Sequence, residues 1–374
     1  MSATDTLPET SAVGDARRAM EVCNACRYCE GYCAVFPAME LKREFAAADL
    51  GYLANLCHGC RGCFYACQYA PPHEFGINLP KTFAEVRAET YEHYAWPTPL
   101  ARLFRSNGTV VSLAVAAGVA LVLILVGALR TPDLVFGTHT GPGAFYVVLP
   151  FAAMAAVASV SFLYAILAIG IATWRFWHDA YNARPTPAAA WDALRDGMTL
   201  KNLGGGGHGC NDSSGAFSGT RRWLHHLMFY GFLLCFASTS VATVYAHGFG
   251  WIAPYSLTSL PVLLGTVGGL GMVIGTSGLI WLKVTGDPEP TARKLMGADY
   301  ALLVLLLLVA ATGLILLALR STGAMGVLLA IHLGCILALF VIAPYSRFVH
   351  GPYRLAALLR AALDRRRSAA GAQV

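Results

Sequence analysis

Six stretches of this chain contain no Asp, Glu, Lys or Arg, and each has 20 residues or more: 110–129, 145–174, 224–246, 259–282, 300–319 and 326–345. A helix of about 20 apolar residues spans the hydrocarbon core of a bilayer, because it satisfies every backbone N–H and C=O internally. Six such runs predict a six-span membrane bundle. The second run is longer than a span requires and carries Pro150 near its start, which predicts a kink or a tilt. The whole chain is 56% hydrophobic and only 13% charged, about half the charged share of an ordinary soluble domain. That excludes a soluble globular enzyme, a disordered chain and a nucleic-acid binder.

Charge is divided unevenly. Residues 1–100 hold 8 Lys/Arg against 12 Asp/Glu, whereas residues 101–374 hold 19 against 9. An acidic, polar, cysteine-rich segment therefore precedes a basic, apolar one, and the basic residues belong on membrane flanks. With the N-terminus inside, the inner flanks hold Arg102, Arg105, Arg175, Arg184, Arg195, Lys201, Arg221, Arg222, Lys283, Arg293, Lys294, Arg347, Arg354, Arg360 and Arg365 to Arg367. The outer loops hold only Arg130 and Arg320. The positive-inside rule then predicts a multi-pass protein of the inner (cytoplasmic) membrane, with both termini in the cytoplasm. No apolar leader follows Met1, which puts the cysteine domain in the cytoplasm as well.

Eight of the eleven cysteines lie between positions 23 and 67. In a reducing compartment such a cluster points to metal ligation, since a disulfide scaffold needs export. Cys23, Cys26, Cys29 and Cys33 form C-x2-C-x2-C-x3-C, and Cys57, Cys60, Cys63 and Cys67 repeat it. Three cysteines at this spacing wrap one corner of a [4Fe–4S] cubane. The fourth is directed away and, as in two-cluster ferredoxins, ligates the other cluster. The expected sets are Cys23, Cys26, Cys29 and Cys67 for one cluster, and Cys57, Cys60, Cys63 and Cys33 for the other. Zinc prefers two separated C-x2-C pairs. Ala34 and Gln68 directly follow the fourth cysteines, where the bacterial run has proline; the prolines come later, at Pro37 and Pro71. With helical apolar spacing over 38–56, this favours an α-helical ferredoxin over the small β-hairpin type. His58 and His73 read as hydrogen-bonding or surface residues. Phe64, Tyr65 and Tyr69 read as packing, and Cys210, Cys235 and Cys335 as non-ligands.

Six histidines lie in or at the ends of spans: His178, His225, His226, His247, His332 and His350. Polar residues at membrane depth are functional candidates. His332 and His350 are five helical turns apart, about 27 Å if one helix carries both. His225 or His226 and His247 are separated by about 32 Å along the third span. The two helices thus offer matching inner and outer tiers, as bis-histidine haem b needs one imidazole on each face of the iron. The expected pairs are His350 with His225 or His226, and His332 with His247, for one or two haems. His178 is a spare candidate. The glycine-rich stretch 204–218 lacks the strand and G-K-S/T of a phosphate loop. It reads as a flexible linker, or as a docking or quinone-site loop.

The stretches CNACRYCEGYCAVFPAMELKREF and LANLCHGCRGCFYACQYAPPHEFGINLP, with RRWLHHLMFYGFLLCFASTSVATVY and SRFVHGPYRLAALLR, resemble the tricarballylate-utilisation (citrate-utilisation) protein B family. The resemblance runs over about residues 20–360. It implies an iron–sulfur and haem b membrane protein that re-oxidises the flavin of an FAD-dependent tricarballylate dehydrogenase and passes the electrons to quinone. A similar module is fused to a flavoprotein in a cobalamin-biosynthesis protein, so pathway is not implied. Two rivals remain: a quinol-oxidising subunit feeding a cytoplasmic reductase, and a membrane redox sensor. A transporter is disfavoured, because no span holds a charge to couple ion movement. The expected architecture is all-α. Residues 1–19 form a disordered N-terminus, 20–100 a ferredoxin-like two-[4Fe–4S] domain, 101–350 a six-helix transmembrane haem-binding bundle, and 351–374 a basic cytoplasmic tail.

Overall fold

The computed structural model describes residues 6–104, 106–181 and 183–371. Arg105, one of the basic flank residues, lies outside them, as do residues 1–5 and 372–374 of the two termini. Among the described residues all regular elements are helical. The cysteine domain contains α1 (Ser11–Cys26), α2 (Val35–Glu40), α3 (Ala47–Leu56), α4 (Gly62–Tyr65) and α5 (Leu79–Tyr94). The 38–56 linker is thus two helices with a break between them.

The N-terminus departs from expectation. Order begins well before residue 20: the Thr10 hydroxyl accepts the Val13 N–H at 3.2 Å and caps α1. Val13, Ala16 and Met20 are fully buried on one face of α1, in a core shared with Leu53, Phe83 and Val86. Their spacing places them on one side of a 3.6-residue turn.

Six helices are long and apolar enough to cross a membrane, and the protein is multi-pass. They are α6 (Asn107–Leu129), α9 (Phe151–Ala180), α11 (Thr220–Gly248), α12 (Leu260–Thr285), α13 (Met296–Leu319) and α14 (Met325–Ile342). Between α6 and α9 lie the short α7 (Pro132–Phe136) and α8 (Ala144–Val148). Pro150 does not kink the second span; it caps it, and the helix starts at Phe151. A proline has no N–H to lose at a helix start.

Helix α12 packs between α11 and α13, and α14 packs on α6, α9 and α13. The α11–α12 contact is backbone to backbone. A Cβ on Gly275 would stand 2.5 Å from the Met228 nitrogen, and one on Gly231 2.7 Å from the Gly268 oxygen. Small residues allow this approach where lipid offers no hydrophobic drive between helices. Trp174, Trp223 and Trp281 are exposed at the span ends nearest the cysteine domain, and Trp251 at the opposite end, as interfacial belts require.

The last span does not continue to His350. Helix α14 stops at Ile342, and two 3₁₀ turns, Ala343–Tyr345 and Arg347–Val349, flank an extended Ser346. Pro344 cannot donate in a helix, and the Ser346 hydroxyl accepts the Phe348 N–H at 3.2 Å. His332 and His350 therefore lie on different helices. The described residues after 350 are not a free tail either. They form α15 (His350–Gly371), which packs on α3 and on α10 (Pro187–Met198). Arg360 pairs with Asp49 at 2.6 Å and lies 3.9 Å over the Tyr52 ring. Arg366 reaches Asp192 at 2.7 Å. The basic residues read as a tail instead strap the cysteine domain to the span ends.

The glycine contacts predict an asymmetric response. Gly275→Val should destabilise the detergent-solubilised protein by about 1–3 kcal/mol or more through overpacking, read as a lower Tm. Gly170→Val, with no atom within 4 Å of the added Cβ, should leave Tm nearly unchanged.

Candidate functional site

The two cysteine blocks share a backbone device. Arg27 follows the second cysteine of the first block and Arg61 that of the second, and both are left-handed, at φ 53° and 67°. Such a conformation costs a non-glycine residue about 1–2 kcal/mol. Here it curls each C-x2-C-R-x-C run so that three thiols face one hollow. In the first block the Arg27 N–H closes on the Cys23 carbonyl at 2.8 Å as α1 ends. In the second, Arg61 opens α4.

Two neighbouring cavities result. Cys23, Cys26, Cys29 and Cys67 line the first, and Cys33, Cys57, Cys60 and Cys63 line the second; Cys63 also borders the first. Burial, with the neighbouring thiols, pushes Cys23 and Cys29 up to about 12. The same causes raise Cys33 and Cys63 as well. Gathering these groups as thiolates is costly unless cationic metal compensates them. Thiols spread around a hollow fit a four-iron cubane. The Gly59 N–H donates to the Cys57 sulfur at 3.4 Å. The first cavity opens beside Tyr28, which is 70% exposed.

The glycine-rich stretch packs against the second cysteine block at Cys60 and is not a loose linker. The Asn211 N–H donates to the Cys60 carbonyl at 2.8 Å, and Arg221 donates to Gly59 at 2.6 Å. Arg61 donates to the Asp212 carbonyl at 2.7 Å and to the Thr291 hydroxyl at 2.8 Å. Cys210 is fully buried and pairs through its backbone with Ser218. A Cβ on Gly209 would stand 2.4 Å from the Ser218 oxygen, and Gly209 sits at φ 108°. The glycines serve close backbone approach, and their density was the one sequence signal for it. Cys235 and Cys335 lie in α11 and α14, away from both cavities.

Of the histidines, the structure brings together His225 and His350. Their ring centres are 6.2 Å apart with the planes at 76°. Two imidazoles on opposite sides of one metal, each about 2 Å from it, have ring centres about 6 Å apart. The donor set therefore fits bis-histidine haem. His350 Nδ1 donates to the Arg347 carbonyl at 2.6 Å, which leaves Nε2 as the free base, as ligand histidines commonly are held. Burial, aided by the Arg354 charge, lowers His350 to about 4, so the ring is neutral. His226 instead lies against Tyr230. His58, also kept neutral by burial and Arg354, donates through Nδ1 to Leu56 at 2.8 Å.

The outer pair does not form. His332 Nδ1 is 3.0 Å from the Thr312 hydroxyl, and its ring rests on Gly313. His247 is exposed and lies against Phe151. Helices α11 and α14 pack on different neighbours, so the expected outer tier has no shared interface. His178 lies against Trp174.

Residues 105–371 match the family model described as citrate utilization protein B, and residues 16–93 match its Fer4-like domain. The chain is 47% identical to the citrate utilization protein B of Escherichia coli over 363 residues, covering 96% of this chain and 94% of that protein. No solved structure matches. With a Fer4-like cysteine domain strapped to six apolar helices, and similarity along nearly its whole length, the chain belongs to the citrate utilization protein B family.

Proposed function

We propose that the protein takes electrons from the reduced flavin of a partner dehydrogenase acting on tricarballylate or a related tricarboxylate, and delivers them to quinone. The two cysteine sets would hold two [4Fe–4S] clusters, and His225 and His350 would hold haem b. The observation that carries this reading is the order of the sites: a partly exposed cysteine set, a more buried one beside it, then a facing histidine pair. When bound, the clusters and haem each carry one electron, which divides a two-electron flavin oxidation into single transfers.

The chain's own residues supply the rest. Tyr28 and the open first cavity leave that set accessible to a soluble donor. The glycine-rich stretch backs the loop of the second set through the Asn211 N–H on the Cys60 carbonyl. Arg354, one turn beyond His350 on α15, donates to the Cys57 carbonyl at 2.8 Å and so joins the second set to the histidine pair. The basic flanks lie at the span ends nearest the cysteine domain: Lys294 reaches Glu85 at 3.5 Å, and Arg221 and Arg354 bond its backbone. Arg130 and Arg320 bond loops at the other ends. That distribution supports an inner-membrane orientation with the cysteine domain and both termini cytoplasmic.

Three outcomes follow. The purified protein should contain about eight non-haem irons with matching acid-labile sulfide. Cys33→Ser should damage the cluster of Cys57, Cys60 and Cys63; damage confined to the other cluster refutes the crossed sets, and stoichiometric zinc without sulfide refutes the whole reading. Haem should be present at one per chain. His225→Ala or His350→Ala should abolish its low-spin spectrum, whereas His226→Ala, His247→Ala and His332→Ala should retain it. A reporter active only in the periplasm, fused after Arg367, should stay silent; activity there means an odd number of spans.

A further inference from the structure

Two arginines meet at one carbonyl. Arg87 of α5 donates to the Cys57 oxygen at 2.8 Å and to the Ala54 oxygen at 2.8 Å. Arg354 of α15 donates to the same Cys57 oxygen at 2.8 Å and to the Asn55 oxygen at 3.3 Å. Neither forms an ion pair with a carboxylate among the described residues. Asp299, which feels the Arg87 charge, is already paired with Lys283 and Arg347, at 2.8 and 3.0 Å. Arg221, close by, has Asp212 at 3.8 Å.

Like charges brought together away from water repel, and partly buried cations are retained where an anion offsets them. Carbonyl dipoles alone are a weak counterweight to two guanidinium groups. The anion that the position offers is the second cysteine set, whose Cys57 interacts electrostatically with Arg354. Four thiolates around a [4Fe–4S] core carry net negative charge, and reduction adds one more. Fixed positive charge beside such a group favours the reduced form. Burial of the second cavity acts in the opposite direction, since it penalises the added electron. Among the described residues the first set has no corresponding pair: Arg27 is exposed and turns back to its own helix, at 3.0 Å from the Asn24 oxygen.

We infer that Arg354 and Arg87 set the reduction potential of the cluster held by the second cysteine set, making it the more readily reduced of the two. This rests on the cluster assignment proposed above. The arginines are positioning residues: they touch the ligand loop, not the iron. Their effect orders the potentials so that an electron entering at the open cavity moves towards the histidine pair.

The test is a potentiometric titration of the purified full-length protein in detergent, followed by electron paramagnetic resonance. The signal lost in Cys60→Ser identifies the second cluster. In the unmodified protein that cluster should titrate at the higher potential. Arg354→Gln and Arg87→Gln should each disfavour its reduction on the order of tenfold, a shift of about 59 mV for one electron, with the first cluster unmoved. Arg354→Lys, which keeps the charge, should restore most of the shift. An unmoved second cluster, or an equal shift of both clusters, overturns the inference. So does loss of haem with both cluster potentials unchanged, which assigns the arginines to the haem carboxylates. If both Gln variants lose four irons, the pair is structural and the inference also falls. Fewer than eight irons in the unmodified protein defeats the cluster assignment itself, a separate failure seen before any variant is made.

Discussion

The Cys57 carbonyl is the point at which the soluble and membrane halves of this protein are joined. Arg87 reaches it from the cysteine domain and Arg354 from the helix that follows the last span. A carbonyl has two lone pairs, so two donors saturate it. The peptide that begins the second cysteine block is thereby held by elements from both halves. Because His350 lies one turn before Arg354, the same bond sets the height of the histidine above the cysteines. Hydrogen bonds from charged donors contribute about 1.5–3 kcal/mol each. The remaining contacts between the halves act in parallel: Arg61 to Asp212, Arg221 to Gly59 and Arg360 to Asp49.

Most of these links use arginine, and several bond backbone carbonyls in place of carboxylates. Arginine offers five donors in a rigid plane and stays charged when partly buried. It can therefore tie together loops that present oxygen atoms in several directions, as Arg61 does with Asp212, Asp287 and Thr291. At the membrane surface the same residues satisfy the positive-inside bias. In the proposed orientation, one residue type thus carries the positive-inside bias and clamps the cysteine domain to the bundle. This explains why so much of the basic charge counted on the inner flanks is engaged in contacts and not spread over the surface.

Repetition and hydropathy were legible from the chain, and geometry between distant segments was not. The six spans and the duplicated cysteine blocks appear as local patterns, because lipid and iron impose periods that a single stretch must obey. The capped start of α1 at Thr10 was missed because Ser11–Cys26 is only weakly apolar overall; its few buried positions matter through packing on α3 and α5. The basic tail was misread for a similar reason. Arg360 and Arg366 look solvated until Asp49, Tyr52 and Asp192 are brought to them from far along the chain. The break at Ser346 was signalled by Pro344, yet the extension to His350 assumed a continuous helix. His225 and His350 nevertheless meet, since both sit at the end of the bundle nearest the cysteine domain whether or not α14 continues. The outer pair needed a true α11–α14 contact, and the glycines of α12 draw α11 elsewhere.

The crossing of the fourth cysteines has a mechanical consequence. Cys33 leaves the first block to line the second cavity, and Cys67 leaves the second block to line the first. Neither hollow can form unless both blocks are folded, so the domain cannot assemble one site at a time. The helices α2 and α3, between the blocks, set the distance over which this exchange occurs. Their buried residues, Phe36, Met39, Leu50 and Leu53, pack in one core with α1 and α5. The hydrophobic core of the small domain thereby fixes the separation of the two cysteine sets, while the arginine links fix the separation of the second set from His350. A path with two spacings needs two rulers, and the fold provides one of each kind: apolar packing inside the domain and charge-assisted hydrogen bonds at its base.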